Sequence, residues 1–140
     1  MFFGEQNCTM DDKNRLSIPA RFREELGNEF IITRWLDRCI IVLPLEQLAH
    51  IEEMLADKGM VKTRDVRRFL YSGLAKVTPD KLGRVLVPNA LRNHAGIEKE
   101  AVVIGVGSYA EIWAPEEWAR KQQEDLAGVP ILETMEELDL

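Results

Sequence analysis

Apolar and polar positions follow two different periods in this chain, and both periods occur twice. Leu16 and Ile18 alternate with Arg15 and Ser17, and Val85 and Val87 alternate with Arg84 and Leu86, so each run predicts a short strand with one buried face. Arg15 and Arg84 then start their strands on the opposite, wetter face. A Pro follows each run (Pro19, Pro88), suited to the first turn of a helix. Apolar residues four apart come next, Phe22 with Leu26 and Leu91 with Ala95, and Gly27 or Gly96 stops each segment. Ahead of the first of these runs, residues 2–10 predict an opening strand. Phe30-Ile31-Ile32-Thr33 and Cys39-Ile40-Ile41-Val42-Leu43 predict a hairpin joined by residues 34–38. Pro44 opens a helix with Leu45, Leu48, Ile51, Met54 and Leu55 along one side as an amphipathic cover for the sheet, ended by Gly59. Thr63 is expected to cap a further helix with Val66, Phe69 and Leu70 inward and Arg64, Arg67 and Arg68 outward. Residues 75–77, 102–105 and 111–113 repeat the strand pattern, and Pro115 opens a second helix carrying Trp118. Beyond Gln123 the pattern fades at Gly128-Val129-Pro130, and the last ten residues are acidic enough to be mobile unless a partner orders them.

The duplication is in register. Asp11 matches Asp80, Arg15 matches Arg84, Pro19 matches Pro88, Arg23 matches Arg92 and Gly27 matches Gly96, all sixty-nine positions apart without a gap. Asn14 and Gly83 fall at equivalent places, and these residue types most readily accept the left-handed backbone of a tight turn. A turn is therefore expected just before each Arg. Units of about seventy residues bury a modest fraction of their surface, so the two copies are expected to share one core.

Charge changes the picture more by its distribution than by its sum. The net charge of −6 is carried entirely by residues 115–140, which hold eight acids against Arg120 and Lys121, while residues 57–84 hold eight bases against three acids. A polyanion could meet a basic face while the acidic tail points elsewhere. There is no run of eighteen apolar residues, and residues 1–5 lack the basic start and apolar core of a signal peptide, so a cytoplasmic protein is expected.

Enzyme chemistry finds little support. His50 and His94 have no partner implied by spacing, and Gly105-Val106-Gly107 lacks the remaining glycine and helix context of a dinucleotide loop and reads as a hairpin turn. Cys8 and Cys39 form neither a CxxC nor a Cys/His cluster and read as buried or half-buried reduced thiols, so neither metal nor cofactor is expected. Asp11 and Asp80 each precede an Arg by four residues across a turn, which favours ion pairing or turn capping over proton transfer. Lys13 and Arg15 flank the first turn; in the second copy Lys81 stands one place nearer Asp80, with Arg84 beyond. Spacing leaves two readings of these cations open, turn-stabilising structure and nucleic-acid contact. Arg64, Arg67 and Arg68 are likewise open between a solvated or salt-bridged face and a phosphate-contacting patch.

Met1-Phe2-Phe3-Gly4-Glu5, the paired Asp-x-x-x-Arg motifs, residues 19–27 (Pro-Ala-Arg-Phe-Arg-Glu-Glu-Leu-Gly) and residues 102–106 (Val-Val-Ile-Gly-Val) together resemble the bacterial MraZ family, over roughly residues 1–123. The resemblance implies an α+β fold of two pseudo-symmetric AbrB-like swapped-hairpin repeats sharing a β-barrel core with peripheral helices. The expected divisions are 1–60 for the first repeat with its helix, 61–74 for a connecting helix, 75–123 for the second repeat and 124–140 for an acidic tail. It further implies a cytoplasmic, nucleoid-associated transcription regulator of the division and cell-wall gene cluster, acting as a ring-like homo-oligomer on double-stranded DNA with short direct repeats in its own promoter. Carried over residue by residue, the DNA contacts are Lys13, Arg15, Lys81 and Arg84, supported by Asp11, Asn14, Asp80 and Gly83. This chain departs from the family pattern at Asn14, where Gly is common, and at Leu82, which replaces a central cation. The competing reading from another class is an oligomeric protein-interaction scaffold without specific DNA readout.

Overall fold

A computed structural model describes residues 1–140 as an α+β molecule built on one dyad-like plan. Strands β1 (Glu5–Thr9), β3 (Phe30–Trp35), β4 (Cys39–Pro44), β5 (Ala75–Val77), β7 (Glu100–Gly105) and β8 (Ala110–Trp113) form one antiparallel sheet in the order β1-β7-β8-β4-β3-β5. Strands β2 (Arg15–Ser17) and β6 (Arg84–Leu86) form a separate two-stranded ribbon. Reading the order from either end gives the same sequence of equivalent elements. Each repeat's first strand leaves its own half: β1 pairs with β7 of the second repeat, and β5 pairs with β3 of the first. The halves meet where β4 pairs with β8 (Ile40↔Ile112, Ile41↔Glu111) and where β2 pairs with β6 (Leu16↔Val85).

The expected barrel does not close. β1 and β5 are free edges of an open sheet. Both carry polar side chains, with Glu5, Gln6 and Asn7 exposed on β1 and Lys76 exposed on a β5 only three residues long, which are features that discourage further strand pairing. The core is instead a layer between the sheet and a lid made of the ribbon and two short helices, α1 (Ala20–Leu26) and α4 (Asn89–Ala95). Leu16, Ile18, Val85 and Val87 from the ribbon segments, Phe22 and Leu26 from α1, and Leu91 and Ala95 from α4 join Phe30, Ile32, Ile40, Val42, Val103 and Ile112 in one buried cluster. Ile31, Ile41 and Leu43 point to the opposite face of the sheet. Burial on both faces is why these strands read as unbroken apolar runs and not as alternation.

Helix α2 (Leu45–Lys58) covers that opposite face less fully than its apolar stripe suggests. Leu48 and Ile51 pack against Ile31, Ile41 and Leu43, but Leu45 and Met54 are exposed. Helix α3 (Met60–Ser72) starts before Thr63, so Thr63 is not its cap; its hydroxyl donates back to the Gly59 carbonyl from within the first turn. Of the expected inner residues Leu70 is buried and Val66 is exposed, while Arg67 turns inward to bridge Glu52 of α2 at 2.7 Å. Both helices are amphipathic, and Arg67 ties them by donating to Thr63 Oγ1 within α3 and to Glu52 across the seam. Beyond α5 (Pro115–Lys121) and a π-helical turn over Gln122–Leu126, the acidic end of the chain is a helix, α6 (Val129–Glu137). Pro130 sits in its first turn, where the missing N–H costs nothing. No helix is long and apolar enough to cross a membrane.

The N-terminal arm continues the interlock. Phe2 and Gly107 exchange both backbone hydrogen bonds at 2.8 Å, and the Gly105 N–H reaches the Gly4 carbonyl at 2.8 Å. A Cβ on Gly105 would lie 2.1 Å from the Phe3 nitrogen, which is backbone and cannot swing aside. Gly105→Ala is therefore expected to cost roughly 2–4 kcal/mol in urea unfolding and to release the arm, seen as faster amide exchange at Phe2 and Gly107.

Candidate nucleic-acid interface

The two Asp-x-x-x-Arg segments form matching turns. Asp11 Oδ1 accepts the N–H groups of Lys13 and Arg15, both at 2.9 Å, while Oδ2 accepts Arg15 Nε at 2.8 Å. Asp80 does the same for Leu82 (3.0 Å), Arg84 N–H (2.9 Å) and Arg84 Nε (2.9 Å). Each carboxylate thus caps the turn and fixes the Arg that leaves it. Donation by the Arg15 N–H first, then by its side chain and the Lys13 N–H, holds Asp11 below the ordinary aspartate value of 3.8; the Arg84 N–H and side chain and the Leu82 N–H do so for Asp80. Asn14 and Gly83 both have positive φ, 62° and 79°, as their residue types predict.

The turns also grip each other. Ile18 N–H donates to the Gly83 carbonyl at 2.9 Å and Val87 N–H to the Asn14 carbonyl at 3.0 Å, so each turn is finished by the other repeat. Arg84 Nη1 lies 3.5 Å from Asp11 Oδ2, an ion pair across the pseudo-dyad that has no counterpart from Arg15 to Asp80. Six of the eight residues singled out in the sequence, Asp11, Asn14, Arg15, Asp80, Gly83 and Arg84, therefore stand in one cluster. Lys13 and Lys81 are exposed on its rim without an ion-pair partner.

The sequence reading missed the part played by Arg23 and Arg92, although both recur at the repeat offset. Arg23 Nε donates to Ile18 O at 2.9 Å and Arg92 Nε to Val87 O at 3.1 Å, tying α1 and α4 to the ends of the ribbon. Arg23 also covers the opposite repeat's turn: a Cβ on Gly83 would lie 2.6 Å from Arg23 Nε. Lys13, Arg15, Arg23, Lys81, Arg84 and Arg92 thus stand at or beside the ribbon, with Asp11, Asp12 and Asp80 in the turns, Glu24 lining the same recess as Arg23 and Asp80, and Glu98 and Lys99 beside Asp11.

The remaining titratable candidates lie elsewhere. His94 Nε2 is 2.8 Å from the Trp35 carbonyl, and His50 is exposed on α2. Cys8 is half-buried and Cys39 buried, neither in a disulfide; burial and the nearby Glu100 push the Cys8 thiol up to about 12, and burial likewise raises Cys39. No three His, Cys, Asp or Glu side chains converge as a metal cage.

A sequence model of a known family, described as "MraZ protein, putative antitoxin-like", matches residues 1–69 and again 70–137. The chain belongs to the MraZ family. Curated relatives named "Transcriptional regulator MraZ" agree along its length. The protein of Alkaliphilus metalliredigens is 42% identical, covering 100% of both chains. That of Clostridium acetobutylicum is 43% identical, again covering 100% of both. That of Desulforamulus reducens is 48% identical over 86% of each chain. The two family matches place one motif turn in each half, Asp11 to Arg15 and Asp80 to Arg84.

Two expectations follow from the geometry of the turns. Gly83→Ala is expected to destabilise by roughly 1–3 kcal/mol, since a side chain at that φ is strained and meets Arg23; Asn14→Gly, at the equivalent site, is expected to stay within about 0.5 kcal/mol, both read by thermal and urea unfolding. Because the folded-state values of Asp11 and Asp80 are depressed, their contribution to stability is complete above the ordinary aspartate range and is lost as pH falls through their lowered values. The urea midpoint of the unsubstituted chain should therefore fall more steeply from about pH 5 to about pH 2 than that of Asp11→Asn/Asp80→Asn.

Proposed function

We propose that this protein is a sequence-specific, DNA-binding transcription regulator that acts on the division and cell-wall gene cluster by binding short direct repeats in its own promoter, as a ring-like oligomer. The reading places it in the cytoplasm, associated with the nucleoid. The relatives' printed name supports regulation of transcription. The observation that carries the DNA contact is the pair of interlocked turns, which fixes two arginines on the outer face of a two-stranded ribbon.

The chemistry suits a duplex. The major groove of B-DNA admits a two-stranded antiparallel ribbon, and Arg can donate two parallel hydrogen bonds to guanine O6 and N7. Arg15 gives its Nε to Asp11, which leaves the Nη groups to face outward, with the side chain 31% exposed. Arg84 is more engaged, holding both Asp80 and Asp11. In this reading Arg15 reads a base edge, Arg84 contributes less, and Lys13 and Lys81 meet phosphates and set register. One rim offers few contacts, and a ring that presents several at once to consecutive repeats raises the effective concentration without new chemistry.

The deciding measurement is fluorescence anisotropy of labelled DNA from immediately upstream of the protein's own gene, against a scrambled duplex, at two salt concentrations. A preference that survives the higher salt is expected; equal, salt-sensitive binding to both would reduce the reading to a polyanion surface. Arg15→Ala is expected to weaken operator binding roughly tenfold or more with unchanged fold and assembly. A correctly assembled Arg15→Ala protein with full operator affinity would refute its role, and a changed oligomer mass without any DNA effect would favour the scaffold reading.

A further inference from the structure

The outer face of the ribbon carries more than its arginines. Leu16 and Val85 are buried beneath it, so strand alternation puts Arg15, Ser17, Arg84 and Leu86 on the outer side. The antiparallel register sets Leu86 opposite Arg15 and Ser17 opposite Arg84. Leu86 and Ser17 hold equivalent places in the two repeats. The two ends of the ribbon therefore differ in chemistry: arginine stands with leucine at one and with serine at the other.

Leu86 is 61% exposed although a long side chain stands directly across from it. Arg15 gives its Nε to Asp11 Oδ2 at 2.8 Å, which ties the guanidinium to the turn and leaves the leucine uncovered. Leu86 joins none of the buried clusters, so packing within the chain does not account for it. Its backbone is nonetheless fixed, since Leu86 pairs with Arg15 and the next N–H, that of Val87, donates to the Asn14 carbonyl at 3.0 Å. An apolar group is thus presented to solvent on a held strand, beside the arginine that is engaged by one carboxylate and not by two. Leu82 is exposed as well, but it lies in the turn at the other end, where Arg84 is the doubly engaged arginine.

We infer that Leu86 is a specificity-determining residue that meets the C5 methyl group of a thymine in the major groove. The inference rests on the DNA-binding reading proposed above and adds a second letter to the site. Among the groups that base pairs present in that groove, the thymine methyl is the apolar one, and apolar side chains recognise thymine by it. Directly opposed residues of an antiparallel pair have Cβ atoms about 4.5–5.5 Å apart, and successive base pairs stack about 3.4 Å apart, so with Arg15 on a guanine Leu86 falls on a base pair roughly one or two steps away. At the Arg84 end Ser17 offers a hydroxyl, which both donates and accepts and so does not select the methyl. The thymine requirement belongs to one end of the ribbon.

Deoxyuridine tests this atom by atom, because it differs from thymidine only in lacking that methyl group. The full-length protein is titrated by fluorescence anisotropy against the duplex from upstream of its own gene, with each thymine in turn replaced by deoxyuridine. A replacement close to a guanine is expected to weaken binding about fourfold, the effect of withdrawing one buried carbon group. Leu86→Ala is expected to bind the thymine and deoxyuridine duplexes alike, with its urea midpoint and assembly mass unchanged; Leu86→Met, which keeps an apolar tip, is expected to retain the difference. If no replacement weakens the unsubstituted protein, or if the same replacement weakens Leu86→Ala as much, the role of Leu86 is overturned while preference for the operator stands. A changed assembly mass in Leu86→Ala assigns the residue to a subunit contact and overturns that role as well. An unsubstituted protein that does not prefer its operator to a scrambled duplex removes the DNA-binding reading itself, and this inference with it.

Discussion

The fold depends on a reciprocal loan of backbone hydrogen bonds between its two turns. Gly83 O receives Ile18 N–H and Asn14 O receives Val87 N–H, so neither turn is complete within its own repeat. Leaving one such buried group unpaired costs roughly 1–3 kcal/mol, a large share of what a small domain has to spare. The apolar residues beneath follow from that grip: Leu16 and Val85 come face to face because the ribbon pairs, and α1 and α4 then fall over the same sheet face. Arg23 and Arg92 secure the arrangement from above by closing on the carbonyls of Ile18 and Val87.

Much of this was legible in the residues. The offset between Asp11 and Asp80 announced the repeat, Asn14 and Gly83 announced the turns, and the placement of Phe22, Leu26, Leu91 and Ala95 is as the four-residue spacing predicts. What the sequence left unsaid concerns partners at a distance. Nothing local in Glu5-Gln6-Asn7 says that this strand leaves its own half to join β7, and nothing in Arg67 says that Glu52 waits for it on the next helix. The open sheet was hidden for the same reason, since closure depends on which strands become edges and not on any strand's own pattern. Thr63 misled because its hydroxyl has two common uses, capping and bonding back one turn, and only the fold chooses between them. In the candidate site, the Asp–Arg pairing could be read directly from a four-residue separation, whereas the cover that Arg23 lays over Gly83 joins residues sixty positions apart.

Charge is sorted as cleanly as hydrophobicity. The arginines at the ribbon are held by bonds to carboxylates or backbone, so they are positioned before any ligand arrives and lose little freedom on meeting one, whereas Lys13 and Lys81 are unpaired. The acids of the tail are gathered beyond residue 115, where Arg120 pairs with Glu117 and Glu124, and Lys121 with Asp125 and with Asp37 of the β3–β4 connection. The net charge of −6 is thereby carried by residues 115–140 and not by the two turns.

The single ion pair between Arg84 and Asp11 breaks an otherwise symmetric pair of turns. Two identical subunits related by a true two-fold axis are matched to inverted sequences, because each half must see the same letters from opposite sides. Two halves in one polypeptide are free of that constraint, and here they differ: Leu82 stands at the place of Lys13, and Arg84 is spent on two carboxylates where Arg15 is spent on one. The surface that results has a front and a back. Under the DNA-binding function proposed above, such polarity distinguishes a sequence from its reverse complement, and successive copies facing one way along a duplex would favour sites laid out in tandem.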